Sequence, residues 1–393
     1  MKKLPSIIYI LLLATFLAKV SLFLATPFLS IYLMENYHYS GTQIGIILSV
    51  AGIGSILMSL SAGSLIDRFN KERVIYTGLV ITILSYAAFP WIHSFAGFIL
   101  FSFISTVGAS LVDPTYRVLI TQYTPQEMKK LVFNIRYYLI NIAAAIGPLL
   151  AAQLLFLGMA RLFYAVSITF TINLLLFVIL FRRFQLSPAA SSEEKIPFFN
   201  VLYIFKKNRT FLFLVLGDIF IVFGYTQMST TLSQYFGHIF DYQAAVKNYA
   251  FLLLVNAVTV LTCQYFIYRI GNIIKTSTAM MIGAFLLPTG LLFFGLSSNI
   301  VILAVAMFIF TIGEMLLFTM WDIRIDEISE PHLKGSYYSL TGLVGISRII
   351  APLIGGLLLD TVQNGLLLFG ILAAISYCSI YFFRASGDMK SIS

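Results

Sequence analysis

IIYILLLATFLAKVSLFLATPFLSIYL occupies Ile7–Leu33, 27 residues with one charge, Lys19. A helix needs only about 20 apolar residues to cross a bilayer core. The preceding Met1-Lys2-Lys3 gives the run a basic start, as in a secretory leader. The run is too long for a leader, holds Lys19 at its middle and meets Pro27 where cleavage would fall. It reads as a first membrane helix. The rest of the chain has the same character. Of 393 residues, 59% are apolar and 10% charged, against about 45–50% and 25% in soluble domains. That balance excludes a soluble enzyme, a DNA-binding domain and a disordered chain. A membrane β-barrel would alternate polarity in short stretches, whereas these runs are unbroken.

Working outward, the spans expected after Ile7–Leu33 are Thr42–Leu65, Val74–Trp91, Phe95–Gln122, Leu131–Leu157 and Phe163–Phe181. A second set follows: Phe211–Tyr235, Val246–Ile270, Ile274–Leu296, Ile300–Ile323, Ser336–Leu359 and Gly365–Phe383. With the N-terminus inside, 19 Lys and Arg fall in cytoplasmic segments and two, Arg161 and Lys247, outside. Cytoplasmic loops carry the excess of Lys and Arg, so both termini are expected in the cytoplasm. Four further cations, Lys19, Arg117, Arg136 and Arg348, lie within spans.

The longest polar break, Arg182–Thr210, has linker composition around Ser187-Pro188 and Ser191–Lys195. Within it Phe198–Phe205 could lie as an interfacial helix. The expected organisation is a six-helix half over 1–181, a cytoplasmic linker over 182–210 and a second six-helix half over 211–393. The halves are faintly repeated. Gly147-Pro148 in span 5 matches Ala351-Pro352 in span 11, and Asn70 matches Gly271 after spans 2 and 8, at offsets of 204 and 201. Internal repeats of this kind point to a transporter with a central site. The fold class is therefore an all-α polytopic membrane protein, a twelve-helix bundle of two pseudo-symmetric halves.

Between spans 2 and 3 stands Gly63-Ser64-Leu65-Ile66-Asp67-Arg68-Phe69-Asn70-Lys71-Glu72-Arg73. This segment resembles the loop 2–3 signature of the major facilitator superfamily, with Asn70 where glycine is usual. Asn also enters the left-handed conformation of a tight turn readily. Thr311–Met315, continuing to Glu330–Tyr337, resembles the span 10–11 region of Gram-positive multidrug exporters. Ala143-x-x-x-Gly147-Pro148 resembles the span 5 signature of drug:proton antiporters, and Ser347-x-x-x-Ala351-Pro352-x-x-Gly355-Gly356 echoes it. The resemblance covers essentially the whole chain. It implies that Gly63, Asp67, Arg68, Asn70, Lys71 and Arg73 gate the cytoplasmic side. Small residues let helices approach closely and proline bends them, so Gly147, Pro148, Pro352, Gly355 and Gly356 are expected at helix contacts.

In the resembled fold, spans 1, 4, 7 and 10 line the cavity. These spans carry Lys19, then Asp113 and Arg117, then Asp218, then Glu314. Charges in a hydrocarbon span are costly and therefore functional candidates. Glu314 lies 14 residues from the outer end of its span, roughly 21 Å down. Three acids face two bases, so one carboxyl lacks a partner. Such a group can be protonated when dry and ionised when wet. The proton-coupling candidates are Glu314, then Asp218 and Asp113. Asp113 can pair with Arg117 one turn away, and Arg136 is expected to snorkel to the cytoplasm. Substrate contacts are expected from Lys19, Phe23, Thr26, Tyr116, Arg117, Tyr225, Ser229, Phe318, Trp321 and Arg348. Their helical spacing aligns several on shared faces.

The four histidines show no ligand spacing, the two cysteines no disulfide framework, and no nucleotide-binding loop occurs. No cofactor or metal is expected; protons serve as the coupling ion. The reading that results is a proton-coupled antiporter exporting amphiphilic small molecules. Its alternative is a proton-coupled importer of a sugar, peptide or organic acid, and a third reading is a sensor on the same fold. The expected partners are a small substrate and the bilayer, without nucleic acid, for a monomer. The resemblance implies a bacterial cytoplasmic membrane.

Overall fold

The computed structural model describes residues 4–68, 71–155, 157–184, 205–330, 337 and 340–388. Among them, twelve helical segments are long and apolar enough to cross a membrane. The helices are α1 (Ser6–Tyr37), α2 (Gly41–Arg68), α3 (Lys71–Ala88), α4 (Phe95–Tyr123), α5 (Lys129–Leu155) and α6 (Met159–Phe184). Then come α7 (Arg209–Ser229), α8 (Thr231–Ile239), α9 (Tyr242–Ile273), α10 (Thr276–Phe293), α11 (Ile300–Ile328), α12 (Ile346–Thr361) and α13 (Gly365–Asp388). The seventh span is α7 plus α8, interrupted at Thr230.

Polar residues at the ends of the apolar runs start the helices. Side-chain oxygens of Ser94, Asn208, Asp241 and Asn299 accept from backbone N–H groups in the first turns of α4, α7, α9 and α11. Such caps satisfy donors that a helix start leaves open. Gly158, at φ 106°, makes the tight turn between α5 and α6. Two expected ends move by five residues; the last span, expected to end at Phe383, stays helical to Asp388. The span expected to end at Ile323 continues to Ile328, because Asp322–Glu327 stay helical and Arg324 pairs with Glu327 at 3.0 Å. The expected interfacial segment Phe198–Phe205 lies outside the described residues except Phe205, which stacks on Phe211.

By contact the chain groups into two compact units. One comprises Met1–Leu33 with Ile46–Glu193; the other comprises Met34–Gly45 with Glu194–Ser393. Each contains the same glycine crossing. In the first unit α3 packs on α4 and α6. A methyl added at Gly78 would stand 2.9 Å from the Gly108 carbonyl oxygen, and one added at Gly108 would stand 2.8 Å from that of Gly78. In the second unit α10 packs on α11 and α13. There a methyl at Gly283 would meet the Gly313 carbonyl oxygen at 2.9 Å. The two glycine pairs are related by an offset of 205 in the sequence. Helices without side chains at the crossing approach until their backbones touch, which supplies dispersion contact that lipid cannot.

Candidate functional site

The first unit carries a cluster on α1, α4 and α5. Asp113 precedes Pro114, which removes one rung of the α4 ladder. Its Oδ1 accepts from Lys19 Nζ and from Arg136 Nη2, both at 2.9 Å. Its Oδ2 accepts from Arg117 Nε at 3.0 Å, one turn along α4. Arg136 therefore does not snorkel to the cytoplasm as expected. Its side chain is 9% exposed and points inward at Asp113, because a desolvated carboxylate is a better partner than distant water. The Arg136 Nε is buried without a hydrogen-bond partner among the described residues. Arg117, at 61%, remains largely exposed. Beside the cluster lies a pocket walled by Leu22, Val112, Tyr116 and Phe170. Tyr116 is buried there and stacks on Phe177, centroids 4.9 Å apart. Phe23 packs at the Gly147 contact between α1 and α5, and Pro148 follows within α5.

The second unit brings Glu314 together with a neutral donor. Glu314 lies mid-way along α11, where its Oε2 accepts from Asn256 Nδ2 of α9 at 2.9 Å. Asn256 also donates to Thr311 Oγ1, one turn before Glu314, at 2.9 Å. The Tyr225 side chain of α7 lies within electrostatic reach of the same carboxyl. The Tyr225 ring meets Phe318 edge-on at 5.0 Å, so Tyr225, Glu314 and Phe318 form one cluster. Trp321 is half-buried on the next turn of α11. None of the described residues forms an ion pair with Glu314 or with Asp218. Asp218 is 5% exposed on α7, within electrostatic reach of Arg348 and Asp322. Arg348 itself is exposed on α12. Ser229 turns its hydroxyl back to the Thr226 carbonyl at 3.1 Å.

The contact residues also have defined places. A methyl at Gly355 would run into Thr231 Oγ1, and one at Gly356 into the Gly41 carbonyl oxygen. A methyl at Gly45 would meet the Pro352 carbonyl oxygen at 2.5 Å. The side chains of Thr26, Asp67, Arg68, Asn70 and Lys71, with Gly63, lie outside what is described; Arg73 is exposed on the first turn of α3. Sequence reasoning passed over Asn256 and Asp322 and read Arg136 differently. Asn256 was visible as an amide in the middle of an apolar run. The long-range pairing of Arg136 left no such mark.

A family model described as the Major Facilitator Superfamily matches residues 11–345. The chain is 26% identical over 386 residues to YqjV of Bacillus subtilis (strain 168), named as an uncharacterised MFS-type transporter, covering 97% of this chain and 93% of that one. It is 26% identical to a Na(+), Li(+), K(+)/H(+) antiporter of Planococcus maritimus, covering 87% of each chain. It is 22% identical to the multidrug resistance protein MdtH of Photorhabdus laumondii subsp. laumondii, covering 90% of this chain and 86% of that one. Among solved structures, that of the nucleoside transporter NupG superposes with a TM-score of 0.75 at 16% identity, covering 98% of this chain and all of that one. This likeness bears on the fold alone.

Proposed function

Because the chain belongs to the major facilitator superfamily of transporters, we propose that it is a proton-coupled antiporter that exports amphiphilic small molecules by alternating access. The observation that carries this reading is the setting of Glu314: mid-span, hydrogen bonded to Asn256, with Tyr225 close by and no cation in ion-pair contact among the described residues. A carboxyl held by neutral donors can exist in either protonation state without stranding a buried cation. A proton occupies it when substrate is absent, and substrate binding releases that proton. Two relatives named as a cation/proton antiporter and a multidrug resistance protein support exchange and export.

In this reading the protein is a monomer of the bacterial cytoplasmic membrane, with both termini in the cytoplasm and no cofactor beyond the proton. Asp218 is the second coupling candidate, and the segment from Gly63 to Arg73 closes the cytoplasmic side. The deciding experiment is proton flux in inverted vesicles, read with a pH-sensitive dye while amphiphilic substrates are added. Wild type should exchange protons for substrate, and Glu314→Gln should lose uphill transport while still binding substrate. Equal uphill transport by the Gln variant would make Glu314 structural. Accumulation in the inward direction would assign import.

A further inference from the structure

The first unit holds three cations on a single intramembrane carboxylate, and that excess has no counterpart of opposite sign in the described spans of the unit. Its other acids in or beside the described helices, Asp67, Glu72 and Glu127, stand at helix ends. Lys19, Arg117 and Arg136 against Asp113 leave a formal charge of +2. Asp113 has used both oxygens. Arg136 is the buried member and Lys19 is half-buried, and the Arg136 Nε is still unbonded inside the cluster among the described residues. A buried donor on a guanidinium that meets neither water nor an acceptor is costly, as is uncompensated charge. Both costs vanish when an anion enters. The adjoining crevice, about 10 Å³ and so water-sized, has Lys19 and Asp113 at its polar end and Leu22, Val112, Tyr116 and Phe170 as apolar walls.

We propose that Lys19, Arg136 and Arg117 form a binding site for the anionic headgroup, carboxylate or phosphate, of an amphiphile. The inference rests on the transporter reading above and narrows its substrate class to amphiphilic anions. Asp113 then acts as the internal stand-in for the ligand: it holds the cations together when the site is empty and competes with the ligand when it fills. An acid with a purely structural role would behave in the opposite way, because its removal would disorder the cations and weaken anion binding.

The test is equilibrium binding by calorimetry to the full chain in phosphatidylcholine nanodiscs. The probes are 4-butylbenzoate, its amide and 4-butylbenzylamine, matched in size and differing in charge. The benzoate should bind about tenfold more tightly than either of the others, the scale of one charge-assisted hydrogen bond. Arg136→Gln should abolish that preference. Arg117→Gln, at the exposed cation, keeps the fold safe and should weaken it severalfold. Asp113→Asn should strengthen benzoate binding. Repeating the titration with phosphatidylglycerol in the disc separates the sources of the anion: competition assigns the site to a lipid headgroup, and its absence to a soluble amphiphile. Equal binding of the three probes, preference for the amine, or no binding of the benzoate overturns the proposal. So does a preference unchanged by both arginine substitutions. The measurement uses no gradient, so it can fail while proton-driven export stands, and the reverse.

Discussion

The two halves share a scaffold and differ in charge. Gly78 against Gly108 in the first half recurs as Gly283 against Gly313 in the second, at the same offset and nearly the same clearance. The charged positions do not recur. At that offset of 205, Ala109 corresponds to Glu314, and Asp113 corresponds to Phe318. The first half gathers cations around one acid, and the second sets Glu314 beside a neutral donor. Close backbone packing tolerates almost no change, because one added methyl collides with a carbonyl. Side chains beside a polar cleft can change provided each charge is paired or reaches water. The glycines therefore keep the record of duplication while the charges divide the labour.

The largest effect should come from removing the paired acid of the first half, set against an unpaired acid of the second. Asp113→Ala leaves three cations without a common partner. Breaking a buried pair costs about 3–5 kcal/mol, and partial exposure of this cluster argues for about 3 kcal/mol. Asp218→Asn, at an acid with no ion-pair partner among the described residues, should leave thermal stability unchanged or raise it. Tryptophan fluorescence melts in detergent measure both. Equal losses would erase the distinction between a paired and an unpaired acid.

A smaller and symmetrical effect is expected at the crossings. Gly78→Ala and Gly283→Ala each force a methyl against a backbone oxygen at 2.9 Å. Overpacking of this kind costs about 1–3 kcal/mol, and the two melts should fall by similar amounts. A loss confined to one half would show that the two crossings carry different loads.

Much of the fold was legible before any coordinates. Twelve apolar runs are long enough to cross a membrane because each must satisfy its own backbone within the bilayer, and composition reports that directly. The end of α11 was not legible: Arg324, Asp326 and Glu327 look like a loop by polarity, yet Arg324 and Glu327 sit three apart on one helical face and the helix continues. In the candidate site, Asp113 with Arg117 followed from helical spacing. Lys19 and Arg136 joining the same carboxylate required the packing of α1 and α5 on α4, which no local spacing encodes. Asn256 fell between: its polarity marked it, but its partner lies 58 residues away.

Asn256 gives the finest test of the comparison, because it belongs to the half where neutral donors hold an acid. Asn256→Leu removes one donor bond to Glu314 and one to Thr311, both 2.9 Å long. Interhelical hydrogen bonds in membranes average only about 0.6 kcal/mol in double-mutant cycles, since the polar groups find other partners when the helices separate. The melt should therefore move by about 1 kcal/mol or less, below either glycine substitution. Transport should respond far more, because the carboxyl loses the group that orients it in both protonation states. A cycle of Asn256→Leu with Glu314→Gln, read in stability and in proton-coupled flux, separates the two roles. A small stability coupling with strongly non-additive flux places Asn256 in the coupling machinery. A stability coupling above about 2 kcal/mol, beyond the largest membrane values near 1.7, with additive flux would instead make the pair a structural clamp, and the second half would resemble the first in being held together by its acid.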